Sequence, residues 1–190
     1  MANERIPDFS IDPLFLRRWS SRAMSGEALS QGELMTLFEA ARWAPSSSNE
    51  QPWRFVYALR GTRYWEKFFA LLDSGNQEWC KNASVLVITL SKKTDEDGEP
   101  NDTHSFDTGA AWENLALQGS ISGLVVHGLG GFNYKKARAL LKLDDTFTVE
   151  MMIAIGKKGK LEDLPERFRS RESPNDRKRL KEFVFEGKIS

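Results

Sequence analysis

The sequence predicts a mixed α and β domain built around one sheet. Three observations carry that expectation. Segments with helical periodicity alternate along the chain with short runs rich in β-branched and aromatic residues. Two apolar runs, "SVLVITL" (84–90) and "TVEMMIAIG" (148–156), have the character of interior strands. The 190 residues, 40% hydrophobic and 11% aromatic, suffice for one sizeable core, so residues 1–190 are expected to form a single domain.

Each element follows in chain order. "SQGELMTLFEAARWA" opens on Ser30 and Glu33 at capping-box spacing. Leu34, Leu37, Phe38 and Ala41 then share one helical face, and Pro45 closes the helix. "WRFVYAL" (53–59) is aromatic and β-branched, which reads as a strand. "TRYWEKFFALLDSG" sets Trp65, Phe68, Phe69 and Leu72 on one helical face. "SKKTDEDGEPND" (91–102) is charged and holds Gly98 and Pro100, so residues 93–103 are expected to form a mobile surface loop. Asp95 and Asp97 lie there without calcium-loop spacing. "SFDTGAAWENLALQGSISGL" (105–124) is rich in Ala and Gly and reads as a helix packed closely against its neighbours. "LVVHG" is a short strand, "GLGGFN" a turn and "YKKARALLKL" a short amphipathic helix. "LPERFRSRESPNDRKRLKEF" is basic and irregular, and "EFVFEGKI" alternates as an edge strand does.

Composition excludes several function classes. With 27 basic and 27 acidic residues the net charge is +0, which argues against a nucleic-acid or membrane-surface partner. Cys80 is the one cysteine, so no disulfide framework exists within the chain and a reducing, cytoplasmic setting is expected. "MANERIPDFSIDPLF" lacks the apolar run of a signal peptide, and no segment is apolar for long enough to span a bilayer. His104 and His127 are the only histidines, and neither sits in a hydrolase motif. His127 follows "LVV" and reads as a core or strand-end residue, Cys80 as an inert buried thiol. No cluster has zinc spacing, and no metal is expected.

What remains are basic and small polar groups. "RRWSSR" holds Arg17, Arg18, Ser20 and Arg22, and "DRKR" holds Arg177, Lys178 and Arg179. Either alone reads as a solvated face. Guanidinium groups suit phosphate because they are planar, always charged and can donate two hydrogen bonds at once. Together with the polar run in "WAPSSSNEQPW" (43–53) and the Gly130–Gly131 backbone, they point to a phosphorylated planar cofactor.

These same segments, "RRWSSRAM", "AARWAPSSSNEQPWRF", "GNQEW", "DTGAAWENLALQ" and "HGLGGF", resemble the nitroreductase family of FMN-dependent oxidoreductases. The resemblance runs from about Leu16 to the C-terminal tail. It implies a nitroreductase-like α+β fold, a central, mostly antiparallel sheet flanked by helices, in an intertwined homodimer with FMN at the interface. Residues 180–190 are then expected to extend onto the partner subunit. Carried over residue by residue, it places Pro45, Ser46, Ser47 and Asn49 at a flavin bound mainly by the other subunit. Ser48 and Glu50 serve only the turn. Arg18, Ser20 and Arg22 match the family's early basic-serine-basic motif at the cofactor, where Arg18 would contact the phosphate and Arg22 the pyrimidine edge of the ring. Trp19, where the family often has a basic residue, would pack near the cofactor's edge. Asn76 would pair with the ring edge, and Gly130 and Gly131 would form the turn whose N–H faces flavin N5. Gly130 is the position where a side chain is expected to disturb that N–H. Arg177 matches the C-terminal phosphate contact, with Arg179 the competing choice.

The resemblance also implies an activity: reducing equivalents pass from NADH or NADPH to a small conjugated acceptor (nitroaromatic, quinone or flavin) by a ping-pong mechanism. No side chain is assigned a catalytic role, because the cofactor carries the chemistry. The rival readings are an FMN-binding protein without turnover, serving sequestration or sensing, and an anion-binding domain without flavin.

Overall fold

The computed structural model describes residues 4–189. Four strands form one antiparallel sheet: β1 (Trp53–Leu59), β2 (Val85–Lys92), β3 (Leu124–Leu129) and β4 (Phe147–Lys157), in the order β1-β2-β4-β3. The expected antiparallel sheet is therefore present, and the two apolar runs hold its two central places. Continuous apolarity puts them there: a central strand with both faces covered has no polar face to alternate with. Val85 to Ser91 are all buried.

Helices cover both faces. Val85, Val87, Val126, Ile153 and Ile155 point to one side, against α2 (Gln31–Arg42) and α5 (His104–Ile121). Leu86, Ile88, Leu129, Met152 and Ala154 point to the other, against α3 (Arg63–Phe69), α4 (Ser74–Cys80) and α6 (Tyr134–Leu141). Strand periodicity of two splits consecutive residues between the two cores. Short helices α1 (Pro13–Arg17) and α7 (Glu166–Arg169) lie outside them.

Local chemistry explains the helix ends. Ser30 Oγ accepts from Glu33 N–H at 3.2 Å and Glu33 reaches back to Ser30 N–H at 2.7 Å, the capping box expected for α2. Inside α5, Gly119 lies so close to β3 that an added Cβ would sit 2.4 Å from Val126 Cγ2. That is the close approach anticipated from the small residues of this helix.

Three readings change. The helical pattern over 62–75 is broken after Phe69, and a separate helix, α4, carries "GNQEW". Gln77 Nε2 helps hold the break by donating to the Phe69 and Leu72 carbonyls at 3.2 and 3.0 Å. The tail read as an edge strand, 182–189, follows on a 3-10 turn, Leu180–Glu182, and forms no strand among the described residues. Alternation sets which side chains share a face, but a strand also needs a neighbour to bond with, and this chain supplies none there. The 93–103 segment folds back on itself: Thr94 bridges Pro100, Asp95 N–H donates to the Glu99 carbonyl at 2.9 Å, and Asn101 is buried. No described helix is long and apolar enough to cross a membrane.

Candidate functional site

The basic residues converge as the sequence suggested, and two more join them. Arg5, Arg18, Arg22, Arg171 and Arg177 line one cavity of about 280 Å³, with Trp19, Ser20, His127, Ser173 and Asn175 completing the wall. Among the described residues no carboxylate lines it. One arginine of the wall is paired: Arg18 Nε lies 3.7 Å from Glu113. Burial pushes the Glu113 carboxyl up, against the pull of Arg18 and Arg177, which weakens that pairing. The cavity therefore presents concentrated positive charge.

The backbone that carries Arg22 is fixed from the C-terminal side. Glu172 accepts from the N–H groups of Arg22 and Ala23, both at 2.9 Å, and from Ser21 Oγ. Arg179 takes no part in the cavity: it pairs with Asp8 at 2.5 Å on the outside. Of the two C-terminal candidates, Arg177 is the one that lines the charged wall. Arg5 and Arg171 were missed by sequence reading. Arg5 stands alone among unrelated neighbours, Arg171 is one of several arginines in a basic stretch, and only the fold brings them in.

Trp79 links this cavity to the glycine turn. It is 2% exposed. The Arg22 guanidinium lies 6.0 Å from the indole centroid, His127 lies 4.6 Å from it, and Trp79 Nε1 donates to Asn76 Oδ1 at 3.2 Å. Asn76 Nδ2 in turn donates to the Gly131 carbonyl at 2.9 Å, which also accepts from Asp73 N–H at 3.1 Å. Asn76 keeps one amide hydrogen and one carbonyl lone pair free of these two bonds. Crowding in the turn falls on Gly131, where a Cβ would meet Asn76 Nδ2 at 2.5 Å. At Gly130 the nearest such atom is Tyr134 Oη at 3.9 Å. Asn76 and Asp73 thus back onto Gly131 and leave room beside Gly130.

The serine turn is separate from the arginine cavity, and none of Pro45, Ser46, Ser47 and Asn49 lines it. The turn is exposed and conformationally costly. Ser48, Asn49 and Gln51 have φ of 49°, 59° and 48°, a region that costs non-glycine residues about 1–3 kcal/mol each. Asp107, buried at the start of α5, holds it by accepting from Ser47 N–H at 3.1 Å. Ser46 Oγ accepts from Gln51 N–H at 3.0 Å, and Gln51 Nε2 donates to the Asn49 carbonyl at 2.8 Å. Sequence reading missed Asp107; its sole signal was an acidic residue near the start of a helix.

His127 sits on β3, where its Nδ1–H donates to the Ser21 carbonyl at 2.9 Å. Burial pushes its imidazole down from 6.5 to about 4; the bond to Ser21 opposes this and Arg22 adds to it. The folded protein therefore favours neutral His127, whereas the unfolded chain protonates it near pH 6.5. Its contribution to stability is full above that pH and is lost as pH falls toward 4. Between pH 7 and pH 5 the loss is expected to be about 2 kcal/mol. Urea unfolding of wild type and His127→Asn at both pH values checks this. Equal losses in the two proteins would remove His127 as the cause. Cys80 is fully buried, and burial pushes its thiol up, in keeping with an inert core residue.

Comparison with known proteins bears on this arrangement. The sequence model of the Nitroreductase family matches residues 16–157, more than half of the chain. A solved structure described as an oxidoreductase containing FMN superposes with a TM-score of 0.94 at 43% identity, covering 100% of this chain and 99% of that one. A nitroreductase family protein from Clostridium difficile superposes with a TM-score of 0.71 at 21% identity over 95% of this chain and 100% of its own, a likeness of fold. An oxygen-insensitive NADPH nitroreductase from Helicobacter pylori is 39% identical over 67 residues, 35% of this chain and 31% of that one.

Proposed function

The chain belongs to the nitroreductase family and is an oxidoreductase, and from that premise we propose that it works with FMN, passing reducing equivalents from NADH or NADPH to a small conjugated acceptor in alternating half-reactions. The arginine cavity carries this reading. Five guanidinium groups suit a phosphate dianion, and among the described residues no carboxylate lines the cavity and the buried Nη2 of Arg5 has no partner. FMN supplies the redox chemistry when bound, so the chain needs no acid or base of its own.

The residues then bind and orient. Arg18, Arg177 and Ser20 hold the phosphate, with Trp19 packed at the rim. Arg22 places positive charge beside the ring's pyrimidine edge, where negative charge builds during reduction. Asn76 offers its free amide hydrogen and lone pair to the ring edge, and the Gly130–Gly131 backbone faces the reacting atom. Pro45, Ser46, Ser47 and Asn49 come from a second copy in a homodimer. Two observations support that: the turn lies apart from its own chain's cavity, and Phe106 and Trp43 are 82% and 72% exposed. Nitroaromatics, quinones and flavins fit the acceptor class.

One experiment on the purified protein tests the reading. The protein should sediment as a dimer and release FMN on denaturation. Its flavin absorbance should bleach anaerobically with NADH or NADPH before any acceptor is present, and return when a quinone is added after the nicotinamide is removed. Bleaching that requires both substrates together would overturn the alternating order. A flavin that neither nucleotide bleaches would instead favour sequestration, and a colourless protein indifferent to FMN a plain anion site. Arg18→Ala should weaken FMN binding by about 2 kcal/mol.

A further inference from the structure

The N-terminal arm, residues 4–12, precedes the stretch that the family model matches, and it holds the least explained cation in the molecule. Arg5 Nε donates to the Asn175 carbonyl at 2.9 Å. Its Nη1 donates to the carbonyls of Leu16 and Arg18 at 2.9 and 2.8 Å. Its Nη2 is buried and bonds to nothing among the described residues. A buried, unpaired donor on a charged group is costly, so the arrangement is incomplete without an acceptor. An anion suits that place, because Arg177 and Arg18 crowd Arg5 with like charge that Asp176 offsets only in part, and among the described residues no carboxylate lines the cavity. At Asp8 the arm is pinned a second time: Asp8 pairs with Arg179 and accepts from Leu180 N–H at 3.0 Å.

We propose that Arg5 is a specificity residue for a phosphate monoester dianion, donating Nη2 to the anion that Arg18 and Arg177 hold, so that anion binding docks the N-terminal arm onto the C-terminal segment. The inference rests on the FMN reading and adds to it a residue and a consequence. An anion that relieves repulsion among Arg5, Arg18 and Arg177 favours the docked arm, and by reciprocity the docked arm favours the anion. FMN carries the phosphate and riboflavin does not, so the two flavins separate this role from a stapling role of Nε and Nη1.

The test measures Kd for FMN and for riboflavin by flavin fluorescence, using flavin-stripped wild type, Arg5→Met and Arg5→Lys, with thermal melts confirming that each variant folds. Amide exchange of residues 5–18 is followed alongside, with and without FMN or inorganic phosphate. Arg5→Met is expected to lose about tenfold or more in FMN affinity, as for a charge-assisted hydrogen bond, with riboflavin within about twofold of wild type. Arg5→Lys should recover part of the loss. FMN, and phosphate alone, should slow exchange of the arm in wild type but not in Arg5→Met. Equal losses for both flavins, or none for either, would overturn the proposal. A wild type that does not distinguish FMN from riboflavin would overturn the FMN reading instead. The phosphate exchange measurement then decides on Arg5: protection that depends on Arg5 sustains its role, and no protection ends it.

Discussion

Trp79→Ala is expected to lower the unfolding free energy by about 4 kcal/mol, as for large buried aromatics cut to alanine. Trp79 is the largest of the fully buried side chains at 2% exposure, and it packs among core residues beneath the sheet. Its removal leaves a cavity that rigid neighbours on β3 and α4 fill only in part. It also removes the Nε1 donor to Asn76 and the ring against which His127 and Arg22 sit. In a domain of this length the melting temperature should fall by roughly 8–16 °C. Trp79→Phe keeps much of the volume and loses the N–H, so it should cost clearly less. Denaturant unfolding of both variants checks the order. A cost below about 1.5 kcal/mol for Trp79→Ala would mean that the site collapses freely, and that Trp79 does not organise the link between cavity and turn.

Gly131→Val is expected to cost about 3 kcal/mol, while Gly130→Ala stays within about 0.5 kcal/mol of wild type. A Cβ on Gly131 would lie 2.5 Å from Asn76 Nδ2 and 2.9 Å from Asp73 Oδ2. Asn76 cannot swing aside without cost, because its amide is tied at one end to the Gly131 carbonyl and at the other to Trp79. At Gly130 the first obstacle is the far end of Tyr134, at 3.9 Å. Thermal melts of both variants compare them directly. A Gly130→Ala cost equal to that of Gly131→Val would show that the turn itself, rather than its packing on Asn76, sets the constraint.

Much of the scaffold was legible in the sequence because it depends on local rules. Aromatic and β-branched residues marked β1, with the bounds found in the structure. Ser30 and Glu33 announced the start of α2 through a contact three residues long. The apolar run of β2, and that of β4 from Met151 to Ile155, placed both strands in the middle of the sheet. Helix α4 was not legible, since "SGNQEWC" has poor helix formers and no periodic apolar face; its buried residues, Trp79 and Cys80, gain meaning only against the folded core. The tail "EFVFEGKI" misled in the opposite sense, because a period of two describes a face and is silent about a partner.

The candidate site divides along the same line. The sequence by itself determined that Arg18, Ser20, Arg22 and a C-terminal arginine were available, and that the serine turn would be polar and held between prolines. Only the tertiary structure decided that Arg177 enters the cavity while Arg179 is drawn outward by Asp8. It alone brought in Arg5, whose partner carbonyl at Asn175 is 170 residues away in the chain. It also set the steric constraint of the glycine turn at Gly131. The physical reason is one of range. Propensity, periodicity and capping act over a few residues and can be read along the chain. Charge convergence and close packing depend on which distant segments the folded core brings within a few ångströms of each other.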